Sequence, residues 1–166
     1  AGGQPSISAP TSSFTSAPAF GSDEGSDPSG SEASPESFSE EDAEKELDLY
    51  RAGIDAVLKQ RDYALGIEKF NQYLNDYSGG IYAPNAKYWL GQVYMQQNEL
   101  DNAKRWFADL VNSHPGHQKT PEAQFKLGKV MHLMGDTTGA RSQLEAVAKS
   151  GSSAAKLARD YLTKHF

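Results

Sequence analysis

The chain has 166 residues, a net charge of −6 and no cysteine. This length suits one domain, or one domain with a tail, and the lack of cysteine excludes disulfides, cysteine-based metal sites and thiol catalysis. No stretch approaches the roughly 18 consecutive apolar residues of a membrane span, so we expect no direct membrane insertion. The acidic balance also differs from the strongly basic footprint of nucleic-acid binders, so we expect no nucleic-acid partner.

Residues 1–46 are predicted to be a disordered linker. They are dominated by Ser, Gly, Pro, Ala and acidic residues, with ten acids against one base and four large apolar residues. Burial of so few apolar residues cannot offset the entropy of ordering the segment. A docking peptide built around "SFTSAPAF" is the alternative interpretation. At the end of the segment, Ser39 is followed by acids, which predicts an N-cap and a first helix that starts near Glu41. The N-terminus has no basic region before an apolar run, so no signal peptide is expected in it.

The body, residues 47–166, is predicted to be all-α and repetitive. Its prolines occur only at positions 84, 115 and 121, where connections are expected, and Pro84 and Pro121 suit the first turn of a helix. A shift of 37 residues aligns the body with itself twice without a gap. The aligned sets include Phe70, Phe107 and Leu144; Gly66, Ala103 and Ala140; Val57, Tyr94 and Met131; and Ile54, Gly91 and Gly128.

Each repeat is predicted to be two helices joined by a short turn, over residues 47–80, 84–117 and 121–154. A stack of such pairs needs a capping helix, which residues 153–166 supply with the stripe Leu157, Ala158, Tyr161 and Leu162. Small residues such as Gly91 would let the two backbones approach, and large residues such as Phe107 would fill the remaining volume.

The second repeat resembles the tetratricopeptide repeat, because Leu90, Gly91, Tyr94, Ala103, Phe107 and Pro115 occupy the expected offsets. The first repeat is degenerate, with Gly53 and Ile54 where the pattern has Leu-Gly. The resemblance implies a right-handed solenoid of three helix pairs plus the cap.

The connections "SGGIYAPNA" and "HPGHQKTPEA", with "YWLGQVY" and "KLGKVMHLMGD", resemble the C-terminal repeat domain of the CpoB (YbgF) family. The resemblance implies a periplasmic scaffold that coordinates peptidoglycan synthesis with outer-membrane constriction during division, through the Tol-Pal system. It implies TolA and a bifunctional peptidoglycan synthase as partners. Family members carry a signal peptide and a trimerising coiled coil before a low-complexity linker. Because neither precedes the linker here, we expect this chain to begin within the linker.

A partner-binding groove is expected on the concave side of the solenoid, lined by the first helix of each pair. Repeat positions 2, 5, 9, 12 and 13 predict its residues: Asp48, Arg51, Asp55, Leu58 and Lys59; Asn85, Tyr88, Gln92, Met95 and Gln96; Glu122, Phe125, Lys129, His132 and Leu133. We expect Tyr88 and Phe125 to offer anchor pockets, with sideways packing between repeats as the alternative. The pattern does not place Trp89. Mixed charges in this set disfavour a carboxylate clamp like that of chaperone adaptors.

No catalytic motif is present, so we predict that the protein is not an enzyme and uses no cofactor. His114 and His117 in "HPGH" lie in a connection without further ligands nearby, and we expect loop histidines there rather than a metal site. Two hypotheses remain for the binding role. One is an envelope scaffold like that of the CpoB family; the other is a generic repeat adaptor or a module like an outer-membrane assembly lipoprotein.

Overall fold

A computed structural model describes residues 39–166, and the first 38 residues of the linker predicted for residues 1–46 lie outside this range. The described residues form seven α-helices and no strand. The helices are α1 (Glu40–Leu58), α2 (Tyr63–Asp76), α3 (Ala83–Gln96), α4 (Leu100–Ser113), α5 (Thr120–Leu133), α6 (Thr137–Lys149) and α7 (Ala155–His165). They pack as three consecutive pairs, α1/α2, α3/α4 and α5/α6, with α7 against α6. The predicted all-α tetratricopeptide-like architecture with a C-terminal cap is confirmed.

The helix starts follow from local chemistry. The Ser39 hydroxyl caps α1 by accepting a hydrogen bond from the Asp42 N–H at 3.2 Å, as predicted. Asp62 and Asp136 cap α2 and α6 in the same way, each accepting from a backbone N–H at 2.9 Å. Pro84 and Pro121 lie in the first turns of α3 and α5, where the missing N–H is not needed.

The sequence-based boundary between residues 46 and 47 falls inside α1. The helix begins at Glu40, and Glu46 is only 7% exposed. Its carboxylate accepts a hydrogen bond from the Tyr73 hydroxyl at 2.5 Å. Glu46 belongs by composition to the acidic linker, but in the structure it is buried and bonds α1 to Tyr73 of α2. Residues 40–46 therefore belong structurally to the repeat domain.

The glycines in the first helices allow close approach of the second helices, as predicted. A Cβ atom built on Gly91 would lie 2.6 Å from the Phe107 ring. The same construction on Gly128 would lie 2.8 Å from Leu144, and on Gly53 it would lie 2.7 Å from the Phe70 ring. No real Cβ tolerates such distances without movement of its neighbours. The intrinsic helix penalty of these glycines is thus offset by packing of each pair.

The gapless repeat alignment is wrong for α1. Gly53, and not Ile54, takes the position of Gly91, because the α1–α2 turn contains one more residue than its counterparts. The backbone bonds show the extra residue: the Asp62 N–H donates to Ala56, whereas the Glu99 N–H donates to Tyr94. The aligned turn residues Arg61, Asn98 and Gly135 all have positive φ angles, of 57°, 61° and 89°. The insertion therefore precedes Arg61 and moves α1 by one position in the alignment.

Each core cluster is built across neighbouring pairs. The first combines Phe70 and Tyr73 of α2 with Leu90 and Val93 of α3. The second combines Tyr88 with Phe107 and Val130, and the third joins Phe125 and Leu144 to Ala158 of the cap. Because every cluster needs residues from the next pair or from the cap, no pair is complete by itself. Leu157 departs from the predicted apolar stripe of the cap, since it is 48% exposed.

Candidate functional site

Three cavities open along the side of the domain formed by the first helices and the cap. The first, of about 420 Å³, lies between α1, α3 and the residue that precedes α5. The second, of about 360 Å³, lies where the end of α1 and the start of α2 meet α3 and α5. The third, of about 420 Å³, lies between α5 and α7. We call the surface bordered by these cavities the first-helix face.

Most of the predicted groove residues lie on the first-helix face. Arg51, Asn85 and Tyr88 border the first cavity. Gln92, Met95 and Lys129 border the second, and Phe125 and Lys129 border the third. Five of the predicted residues do not border any of the three: Asp48, Asp55, Lys59, Glu122 and His132. Asp55 forms an ion pair with Lys59 at 2.9 Å, and the His132 Nδ1 atom lies 2.8 Å from the Tyr161 hydroxyl.

Asp55 does not lie at the predicted repeat position because the α1–α2 turn contains one extra residue. A shift of 38 residues, not 37, relates α1 to α3, so Tyr50 matches Tyr88 and Ile54 matches Gln92. Both Tyr50 and Ile54 border the first cavity, as does Leu47. The sequence-based alignment missed them, and it assigned Asp48 and Asp55 to the face instead. An alignment that allows a one-residue gap and matches Gly53 and Phe70 to Gly91 and Phe107 would have placed Tyr50 and Ile54 on this face.

Tyr88 and Phe125 border cavities of the first-helix face but are largely buried, which favours the alternative that they pack between repeats. Tyr88 is 4% exposed and Phe125 is 9% exposed. The Tyr88 ring packs edge-on against Phe107 with centroids 6.0 Å apart, and its hydroxyl donates to Glu122. Phe125 packs in the same manner against Tyr161 at 5.9 Å. The following pair, or the cap, covers each ring, so their main role is packing between repeats.

Trp89 is an aromatic residue that borders two of the three cavities. It is half-buried and stacks on Phe70, with ring centroids 6.4 Å apart and planes within 5° of parallel. Trp89 borders both the first and the second cavity. A rigid, partly exposed indole between two cavities suits an apolar anchor of a partner.

Basic side chains dominate the charge of the first-helix face. The three cavities are bordered by six lysine and arginine residues and by a single carboxylate, Asp160, which forms an ion pair with Lys156 at 2.6 Å. The basic residues are Arg51, Arg61, Lys119, Lys126, Lys129 and Lys164. Burial, and then the positive charge of Lys129, lower the pKa of Lys126. Among the residues that border the three cavities, basic side chains therefore outnumber carboxylates, whereas the set predicted from the sequence mixes the two signs.

The loop histidines have structural partners. The His117 Nδ1 atom accepts a hydrogen bond from the Lys119 N–H at 3.1 Å, and the Thr120 hydroxyl donates to the His114 carbonyl at 2.5 Å. Burial lowers the pKa of both imidazoles, and Lys87 lowers the pKa of His114 further. Over residues 39–166 no group of three or more His, Asp or Glu residues is placed to hold a metal ion. None of the described helices is long and apolar enough to cross a membrane.

Comparison with known proteins identifies the family. The family model of YfiO, described as outer membrane lipoprotein, matches residues 42–166, which include all three helix pairs and the cap. The chain belongs to the YfiO family. The YfiO-family domain is also similar to the cell division coordinator CpoB of Pseudomonas putida, including strain KT2440, with 39% identity over 59 residues. This match covers 36% of the chain and only 22% of the length of the curated relatives. The fold and both comparisons together make this a CpoB-like tetratricopeptide domain with a protein-interaction role.

Proposed function

We propose that the repeat domain, residues 39–166, is a non-catalytic scaffold of the bacterial periplasm that binds protein partners through its first-helix face. Its role would be to coordinate peptidoglycan synthesis with outer-membrane constriction during cell division, within the Tol-Pal system. TolA and a bifunctional peptidoglycan synthase are the proposed partners. The similarity to the cell division coordinator CpoB supports this role.

The observation that carries the proposal is the combination of cavities and free apolar surface on one side of the domain. Trp89 borders two cavities, and Leu58, at the edge of the second, is 53% exposed. Exposed leucine and tryptophan beside cavities are typical of surfaces that seat side chains of a partner. The core aromatics Phe70, Tyr73 and Phe107 are fully buried and are not accessible to a partner, whereas Leu58 and part of Trp89 are accessible.

The experiment measures binding of the full 166-residue chain to soluble TolA and to the soluble synthase by isothermal titration. The Leu58→Ser variant is compared with Ile81→Ser, a matched control because Ile81 is 70% exposed and lies in the α2–α3 connection. We expect Leu58→Ser to weaken binding about tenfold, since burial of a leucine side chain contributes about 1.5–3 kcal/mol. Ile81→Ser should leave the affinity unchanged. The proposal fails if neither partner binds at tens of micromolar, or if only Ile81→Ser weakens binding.

The family match supports a second candidate, an adaptor that resembles an outer-membrane assembly lipoprotein and binds a peptide in the same groove. Palmitate labelling of the natural full-length protein separates the two candidates. Label that partitions with the outer membrane would favour the lipoprotein-like adaptor. An unlabelled protein that binds TolA would favour the division scaffold.

A further inference from the structure

The second cavity combines an apolar wall with an excess of positive charge. Leu58, Trp89 and Met95 supply the apolar wall. Arg61, in the turn between α1 and α2, and Lys126 and Lys129 of α5 supply the charge. The residues that border this cavity include no Asp or Glu.

None of the three cations of this cavity forms an ion pair within residues 39–166, although the Glu122 carboxylate is near enough to raise the pKa of Lys126 against the effect of burial. In the part of the chain that the structure describes, no carboxylate lies within 4.0 Å of the charged groups of Arg61, Lys126 or Lys129. Many other lysines do have such a neighbour; Lys87, for example, lies 2.8 Å from Asp109. Like charges that share a partly buried site repel each other, and an opposite charge brought by a ligand would relieve that repulsion.

Gln92 gives a second, independent indication that this cavity is a binding site. Its side chain borders the cavity, and its Oε1 atom is buried without a hydrogen-bond partner among the described residues. A buried acceptor without a donor is unfavourable, and such groups are rare in folded proteins. A backbone N–H of a bound chain would satisfy it. If the amide were rotated by 180°, the same chain could supply a carbonyl acceptor to its NH₂ group.

We propose that the second cavity binds an acidic segment of a partner protein. One apolar side chain of the segment would pack on Trp89 and Leu58, its Asp or Glu carboxylates would lie against Arg61, Lys126 and Lys129, and its backbone would bond to Gln92. This inference rests on the proposed function and adds the chemistry of the partner. A protein segment suits the site better than a nucleic acid, because residues 47–166 carry fifteen basic against twelve acidic residues and are not strongly basic overall.

The test starts from a displayed library of random peptides, selected on the full 166-residue chain. We expect enrichment of peptides in which Asp or Glu residues flank an apolar residue. A selected peptide is then synthesised with an amidated C-terminus and an acetylated N-terminus, so that only side-chain carboxylates carry its negative charge. Its affinity is measured for the wild-type chain and for two double variants at low and high salt.

The decisive variant is Lys126→Gln with Lys129→Gln, and the matched control is Lys104→Gln with Lys149→Gln. The control removes the same charge from residues that border none of the three cavities. Circular dichroism verifies that both fold. We expect the decisive variant to weaken binding at least about tenfold and to reduce its salt dependence, with the control within about twofold of wild type.

Each other outcome overturns the inference. It fails if no peptide is selected, if the selected peptides lack acidic residues, or if the two double variants weaken binding equally. Peptides that lack acidic residues but lose affinity in Leu58→Ser would refute the acidic site and leave the proposed function standing. Failure of TolA and the synthase to bind would refute the proposed function separately.

Discussion

The Tyr73 hydroxyl donates a hydrogen bond to Glu46 over 2.5 Å and accepts one from the Tyr82 N–H at 3.0 Å. These bonds connect α1, α2 and Tyr82, the residue that precedes α3, and both Glu46 and Tyr73 are buried. The same site explains Gly80, where a Cβ atom would lie 2.2 Å from the Glu46 carboxylate. One acidic residue of α1 thus connects the first helix pair to the second.

Replacement of Glu46 by alanine should destabilise the domain. We expect a loss of about 2–3 kcal/mol in the free energy of unfolding, because a buried charged acceptor is removed and the Tyr73 hydroxyl loses its partner. Urea denaturation followed by circular dichroism measures the loss. Glu44→Ala is the control, since Glu44 is exposed on the same helix. Equal stability of the two variants would show that Glu46 is not a structural residue.

Addition of a single methyl group at Gly91 should also destabilise the domain. Gly91→Ala favours the helix by about 1 kcal/mol, but its Cβ would lie 2.6 Å from the Phe107 ring. Because overpacking of a full core typically costs about 1–3 kcal/mol, we expect a net loss. Thermal unfolding measures it against Gly116→Ala, where nothing lies within 4 Å of the added carbon. A gain in stability for Gly91→Ala would refute the close-approach role.

Much of the fold could be predicted from the sequence, because the repeat imposes the same physical requirement three times. Glycine opposite a large residue and an acidic residue before the second helix recur in all three pairs, and a proline in the first turn recurs in two of them. The one-residue insertion before Arg61 is hard to detect from the sequence. A shift of 37 residues aligns α2 and most of the turn correctly, and only the positions in α1 are wrong. The sequence therefore predicted Asp55 on the first-helix face, where the structure has Ile54.

The burial of Tyr88 could not be predicted from its own repeat. Its ring is covered because Glu122 and Lys119, which belong to the next pair, come into contact with it; the Lys119 ammonium lies 4.9 Å from the ring centre. Such contacts depend on the rotation between successive pairs, which a sequence pattern does not specify. Trp89, one residue further along the helix, is the residue that the neighbouring pair leaves partly exposed.

The stability of the domain should fall at alkaline pH. Burial, and then hydrogen bonds to Glu46 and Glu122, raise the pKa of Tyr73 and of Tyr88 well above the usual value for tyrosine. A phenol with a higher pKa in the folded state stabilises the fold fully below its unfolded pKa of about 10. This stabilisation is lost as the pH rises above that value, because the unfolded chain releases its proton first.

The measurement is the free energy of unfolding between about pH 8 and about pH 11, where unfolded tyrosines lose their protons. The Tyr88→Phe variant should show a shallower decline than wild type, since it has no phenol to ionise at this position. Tyr63→Phe is the control, because Tyr63 is half-buried and its hydroxyl forms no bond to a carboxylate in residues 39–166. An unchanged slope in Tyr88→Phe would contradict the prediction.

The cap should depend on Tyr161 more than on Leu157, although both lie on α7. The Tyr161 ring packs on Phe125, and its hydroxyl group lies 2.8 Å from His132 Nδ1, whereas Leu157 is 48% exposed. We expect Tyr161→Ala to cost about 3 kcal/mol, since it removes a large aromatic contact, and Leu157→Ala to cost less than about 1 kcal/mol. Urea denaturation compares the two variants.

Because the third core cluster closes against α7, Tyr161→Ala should also expose Phe125, and amide hydrogen exchange in α5 and α6 should accelerate. Exchange confined to α7 would show that the helix is an appendage and not a cap.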